Sequence, residues 1–375
     1  MAGVLDGIKV FDLTLAVVGP WASKLLGQLG AEVRKIEDPA GELTHLVPPY
    51  MQGASAIYLS ANLNKTLVPL DLKSDADRER AFELIEDSDV FIENMRPGAV
   101  ERLGMGYDAV SARNPRIVYV SASAYGRVGP MATEAGVDPL VQAFSGFSSI
   151  TGAPGTEREM LRYLVHLDIT TGTNIVEAVL AALVARERTG VGQKIEIEML
   201  CSSLSLQTNR LAEYFATGEQ PEPMGSAVPV TVPHQAFRCL DGEWLAVGVE
   251  TDAQWRRLCD ALDRADLAAD ERYATNAGRV AHRDALVGEL EACFAAQPST
   301  WWELHCERHD VPAGRFLRWW DLRHHAQVDA NGFMVDIDTP YGPMTAEAPP
   351  WRFSETPTEP VRIGAHRTRP GWKGV

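Results

Sequence analysis

The stretch Ile8-Lys-Val-Phe-Asp-Leu-Thr14, Gly19-Pro20, Trp21-Ala-Ser-Lys-Leu-Leu-Gly-Gln-Leu29, Gly30 and Ala31-Glu-Val-Arg-Lys-Ile-Glu37 decides the fold. Residues 8–14 alternate apolar and polar side chains as a strand does and run into the Gly19-Pro20 turn. Residues 21–29 carry apolar side chains at helical spacing and stop at Gly30, and residues 31–37 read as a second strand. Strand, helix and strand make a β-α-β unit, which implies a mostly parallel sheet covered by helices.

Outward from this unit the pattern repeats. Thr66 to Leu72 reads as a strand, Ser74-Asp-Ala-Asp77 as an N-cap with an acidic first turn, and Arg78 to Ile85 as the helix that follows. Val90 to Ile92 is the next strand, short helices open at Arg96-Pro97-Gly98 and Tyr107, and Arg116 to Ser121 is a further strand. Pro139 to Phe147 and Thr173 to Arg186 have the composition of buried helices, the second closed by Arg188 and Gly190. Gln193 to Glu198 then reads as a strand and Cys201 to Phe215 as a helix.

The composition shifts at Gly218, where a Pro/Gly-rich acidic connector begins. The expected division is a large domain over 1–218, a linker over 219–229, a small α+β domain over 230–328 and a C-terminal segment over 329–375. The small domain opens with a hairpin around Asp241-Gly242 and continues with helices near 253–262 and 283–296. The C-terminal segment is Pro-rich and reads as an irregular tail laid back over the large domain.

With 375 residues, 45% hydrophobic and 23% charged, the chain is expected to fold nearly end to end as two lobes. A net charge of −16 argues against nucleic acid or an anionic membrane as partner. A polyanionic ligand would need a local cluster of Arg and Lys. No stretch approaches the about 18 to 20 apolar residues that span a bilayer, the start has no basic leader, and five scattered cysteines form no CxxC pair. These features point to the cytoplasm.

Phosphate-loop, GxGxxG and GxSxG motifs are absent. His305 and His309 stand at a metal-ligand spacing, but no third and fourth ligands accompany them, so no metal is expected.

Five segments in order resemble the class III, formyl-CoA transferase-like CoA-transferase family, which includes the α-methylacyl-CoA racemases. They are Leu5 to Thr14 with Gly19-Pro20, Leu29 to Glu37, Asn62-Leu-Asn-Lys-Thr66 with Leu70-Asp-Leu-Lys73, Val90-Phe-Ile-Glu-Asn-Met-Arg-Pro-Gly98 with Glu101-Arg-Leu-Gly104, and Asp168 with the helix ending Arg186-Glu-Arg-Thr-Gly-Val-Gly-Gln193. The resemblance implies a Rossmann-like large domain, a smaller domain, a returning tail and an interlocked dimer, either of identical chains or with a paralogous subunit. It implies acyl-CoA and a carboxylic acid as substrates, CoA as a substrate with no permanently bound cofactor, and Asp168 as the residue acylated. Lys73, Asn94, Arg96 and Arg102 fall where the family binds CoA, and Val17 and Val18 fall near the thioester.

The residues themselves fit that chemistry. Asp168 lies in the apolar stretch Tyr163-Leu-Val-His-Leu-Asp-Ile-Thr170, directly before a helix, and with an ordinary carboxyl it is ionised at neutral pH. A dehydrated carboxylate can attack a thioester to give a mixed anhydride. Formyl-CoA transferases carry Gln where Val17 stands, so a formyl- or oxalyl-sized acyl group loses a side-chain partner here and a larger acid is favoured. Racemases carry His before the Asp of a Gly-His-Asp segment, and Gly136-Val137-Asp138 lacks it. His166, two residues before Asp168, shares its face if the segment is extended, which leaves an epimerase open as an alternative. Asp138 either orients the acyl-CoA or caps its own helix. Asp38 replaces an Arg common in the family, and Met224-Gly225-Ser-Ala-Val-Pro229 has one glycine where the family has a Gly-rich loop. Both departures leave room for an auxiliary, non-catalytic subunit.

Overall fold

The computed structural model describes residues 3–155, 159–161 and 163–363, which form two compact units. One comprises the chain up to Ser148, Met160–Glu219 and the segment from Ala326 onward; the other comprises Ser149–Glu159 and Gln220–His325.

The larger unit is built on a six-stranded sheet of β1 (Lys9–Leu13), β2 (Glu32–Glu37), β3 (Lys65–Pro69), β4 (Val90–Glu93), β5 (Val118–Ser123) and β6 (Gln193–Glu198). Every pairing is parallel, and the spatial order is β3-β2-β1-β4-β5-β6. The order reverses between β1 and β4, which opens a crevice at their carboxyl ends.

Period-two alternation distributes the strand residues between two cores. Val10, Ile92 and Val120 face α1 (Val18–Gln28), while Phe11, Phe91 and Tyr119 face α2 (Asp75–Glu86) and the short helices α3 (Ala99–Arg102) and α4 (Tyr107–Arg113). Register puts the second set side by side, and their rings stack at 5.1 and 4.6 Å between centroids. A parallel sheet apolar on both faces must be covered on both, and here it is.

Four sequence expectations are corrected. The helix expected from Thr173 starts earlier: α6 runs His166–Thr189, after α5 (Asp138–Phe144), and Gly190 closes it at φ 75°. At 24 residues α6 is long and apolar enough by length and composition to cross a bilayer, contrary to the reading that no stretch approaches that size. Its apolarity serves packing, because Ile175, Val179, Ala182 and Leu183 lie in the core with α1. The helix expected over 201–215 is two, α7 (Met199–Leu206) and α8 (Thr208–Thr217), broken at Gln207, whose amide turns inward to Ser145 O and Ser203 O.

The fourth concerns the tail, which is not irregular throughout. Met334-Val-Asp-Ile-Asp-Thr339 and Gly342–Glu347 form an antiparallel hairpin, with Gly342 at φ 95° in its turn. Proline content hid the alternation. The tail then runs beside the sheet, with Asn64 N donating to Arg362 O at 2.8 Å and Glu359 N to Gln28 O at 2.8 Å.

The smaller unit has a three-stranded antiparallel sheet of His234–Arg238, Trp244–Gly248 and Ala313–Arg315, with Trp244–Gly248 in the middle. Phe237, Leu245 and Val247 pack on Trp255, Leu290, Phe294 and Trp302 from its helices.

Candidate active site

The carboxyl end of β1 leads into a tight turn. Leu15 N donates to Asn94 Oδ1 and Asn94 Nδ2 donates to Leu15 O, both at 2.8 Å, so the residue after β4 clamps the turn after β1. Ala16 is driven to φ 63°, a conformation costly for a residue with a Cβ. Val17 follows at the N-cap of α1, half-buried, and Val18 is buried in the core, so only its backbone can meet a ligand.

α6 is set against this turn by Gly172. A Cβ there would stand 2.6 Å from Val18 O, so only glycine allows the two helices to approach this closely. Trp21 Nε1 donates to Thr173 Oγ1 at 3.4 Å across the same contact. Asp168, one helical turn before Gly172, therefore rises on the face of α6 that lies along the start of α1.

Asp168 sits within the first turn of α6 rather than ahead of it, and the reason is Asp138. Asp138 does not cap its own helix; its Oδ2 accepts from Leu167 N at 2.9 Å and Asp168 N at 3.3 Å, capping α6 from thirty residues away. Gln142 donates to Asp138 and receives Leu161 N at 3.0 Å, which fixes the cap.

The cap has an electrostatic consequence. Burial first, and then the neighbouring Asp138 charge, raise the Asp168 carboxyl to about 7. Its oxygens receive no hydrogen bond among the described residues. The expectation of a fully ionised carboxylate is thus corrected: near neutral pH both forms are present. A carboxylate with little solvation and no hydrogen-bond donors is a stronger nucleophile than one in water.

His166 does not share a face with Asp168. Both are helical, and a two-residue step turns about 200° around the axis. The imidazole packs on Phe147 at 4.6 Å between centroids, with its Nε2 buried and without a hydrogen-bond partner among the described residues. The extended-segment geometry that would have paired the two for epimerisation is overturned by the early start of α6.

Lys73 lies in the loop after β3, and Arg96 and Arg102 lie after β4, all three exposed and without a carboxylate partner among the described residues. Both loops leave the same end of the sheet. Three strand spacings, about 14 Å, separate β3 from β4. That interval suits an elongated polyanion better than a single phosphate. Asn94, by contrast, spends its amide on the Leu15 backbone. Beside it Glu93 is buried, held by Ser121 and by Arg127 at 3.0 Å.

In the smaller unit, the 224–229 segment is tied down by its own contacts. Gly225 N donates to Gly152 O at 2.8 Å, Ser226 Oγ accepts from Ala236 N at 3.0 Å, and Arg283 Nη2 donates to Val228 O and Pro229 O at 2.7 and 2.9 Å. His305 Nε2 lies 3.0 Å from Ala261 O and His309 Nδ1 2.9 Å from His305 O, and among the described residues no three ligating side chains converge.

Sequence reasoning passed over Gln142, Gly172 and the clamp by Asn94. An Asp–Gln pair at i, i+4 on an apolar helix and a glycine inside a longer one were the available signals.

The family model described as CoA-transferase family III matches residues 5–366. The chain is 33% identical to a succinate–glutarate CoA-transferase of Agrobacterium fabrum, over 97% of this chain and 94% of that protein. It is 34% identical to a succinyl-CoA:glutarate CoA-transferase of Mus musculus, over 94% and 81% respectively. The crystal structure of a CAIB/BAIF family protein from Brucella suis superposes with a TM-score of 0.88 at 32% identity, covering 98% of this chain and 97% of that one.

Proposed function

Because the chain belongs to CoA-transferase family III and is a CoA-transferase, we propose that Asp168 is the group through which CoA passes from one acid to another. The observation that carries this reading is the site of Asp168: a carboxyl raised to about 7 at the mouth of a helix, with no hydrogen bonds to its oxygens among the described residues.

The Asp168 carboxylate attacks the thioester carbonyl and expels CoA thiolate, leaving a mixed anhydride. The thiolate attacks the aspartyl carbonyl and expels the donor carboxylate, leaving an aspartyl-CoA thioester. The acceptor carboxylate displaces the thiolate to form a second anhydride, and the thiolate attacks the acceptor's carbonyl, restoring Asp168. No net proton is taken up. Asp138 holds Asp168 through the backbone and adds to the rise that burial gives its pKa.

Lys73, Arg96 and Arg102 are assigned to the CoA phosphates, which their exposure and lack of acidic partners support. Asn94, Val17 and Val18 shape the turn at the thioester. Val17 lacks a side-chain donor for a small acyl group, which favours an acid larger than oxalate; succinate and glutarate, the acids in the two relatives' names, satisfy that condition. An interlocked dimer is part of the same reading, supported by exposed Phe215 and Trp319.

Incubation with a panel of acyl-CoAs, borohydride reduction and mass spectrometry tests the mechanism. Reduction of a thioester at Asp168 is the expected result. An active enzyme with Asp168 unmodified by every donor sinks the mechanism, and CoA binding without turnover by the purified chain would favour the auxiliary-subunit reading.

A further inference from the structure

Beneath the β1–α1 turn lies a cluster of charged side chains that no step of the transfer uses. Asp12, Lys35 and Lys65 are 0%, 1% and 1% exposed. Asp12 Oδ1 accepts from Thr14 N at 3.0 Å and Thr14 Oγ1 at 2.5 Å, and Oδ2 accepts from Ser23 Oγ at 2.5 Å and pairs with Lys65 Nζ at 3.1 Å. Lys65 also donates to Asn62 Oδ1 at 2.9 Å. Lys35 donates to Thr14 O and pairs with Glu42 at 3.4 Å. Asp12 and Glu42 balance the two lysines, and Glu37, beside Lys35, is engaged by His45 and Tyr58.

Four consecutive backbone groups of the turn are thus each held by a side chain. Thr14 N goes to Asp12, Thr14 O to Lys35, and Leu15 N and O to Asn94. The anchors come from β1, β2 and the end of β4, and the Lys65 that charges Asp12 from β3. Gly19 closes the fit, since a Cβ there would stand 2.3 Å from the Thr14 methyl. A buried ion pair gains little stability over apolar packing, so its presence here needs another reason. Holding the next residue, Ala16, at φ 63° and setting Val18 O against Gly172 of α6 supplies one.

We propose that the Asp12–Lys65 pair, with Lys35, is a positioning device for CoA transfer, fixing the β1–α1 turn against which the helix of Asp168 is set. The inference rests on Asp168 being the acylated residue. These groups are buried beneath the turn, so they act on the chemical step through geometry alone.

The test is steady-state kinetics of Lys65→Met and of the double variant Asp12→Asn/Lys65→Met, which removes both charges together. In either, kcat falls 10- to 100-fold while KM for acyl-CoA stays within threefold and Asp168 is still trapped by borohydride, more slowly. A folded double variant with wild-type kcat overturns the proposal. Should neither variant fold, Thr14→Val, which removes one hydroxyl at nearly constant volume, reads the same turn: a threefold or larger loss of kcat supports it, and an unchanged kcat overturns it. Failure to trap Asp168 in the wild type would instead remove the premise.

Discussion

Asp12 and Asp168 are carboxylates of the same unit, both withdrawn from water, with opposite outcomes. Asp12 is wholly buried, yet its pKa is lowered, because two lysines and two hydroxyls outweigh the cost of burial. Asp168 is only half-buried, yet its pKa is raised, because no cation or hydrogen bond among the described residues offsets the burial and the neighbouring Asp138 charge adds to it. Burial pushes both acids up, and partners decide whether that rise is reversed, as at Asp12, or reinforced, as at Asp168. The polar floor beneath the β1–α1 turn engages both oxygens of Asp12, whereas the mouth of α6 leaves the oxygens of Asp168 without a hydrogen bond among the described residues.

The contrast can be broken at either end. The largest effect is expected at Asp168 itself: Asp168→Asn removes the proposed nucleophile at nearly constant shape, and CoA transfer should drop by roughly a thousandfold or more with folding intact. Circular dichroism beside a coupled transfer assay checks both halves, and residual activity within tenfold of wild type would break the comparison. Next, Asp12→Ala leaves Lys65 buried without its carboxylate and should destabilise the larger unit by about 3–5 kcal/mol, read by urea melts. A cost below about 1 kcal/mol would mean the floor holds nothing.

Gly172→Ala sets a methyl against Val18 O and should cost about 1–3 kcal/mol, with a fall in kcat larger than the change in KM for acyl-CoA. Equal activity with equal stability would show that the close approach of the two helices does not set the site. The smallest effect sharpens the contrast most. Asp138→Asn keeps an oxygen for the α6 cap but removes the charge that helps raise Asp168. Catalysis needs the carboxylate, so kcat in the wild type climbs as pH rises through about 7, and in the variant that limb should move down by about 0.5–1 pH unit. An unmoved limb would assign the raised pKa to burial alone.

The same distinction separates what was legible early from what was not. The β-α steps, the closing Gly190 and the hairpin around Asp241-Gly242 follow from local periodicity and turn chemistry, which act over a few residues. The start of α6 did not follow, because its cap comes from Asp138, and neither His166 nor Asp168 carries a local signal of being helical. That one long-range contact overturned the face shared by His166 and Asp168, and together with burial it raised the Asp168 carboxyl. The tail hairpin was missed for a simpler reason: prolines around an alternating stretch read as a loop.

By itself the sequence determined a helix-covered parallel sheet, the CoA-transferase resemblance and the candidate residues Asp168, Lys73, Arg96 and Arg102, since these rest on order and spacing along the chain. Only the tertiary structure decided which acid is silent and which is poised, that Asn94 clamps a turn, and that two buried lysines stand beneath it. Charge state and strain depend on neighbours brought together by folding, such as the Asp12–Lys65 pair and the Asp138 cap on α6, and no periodicity in the chain encodes those distances.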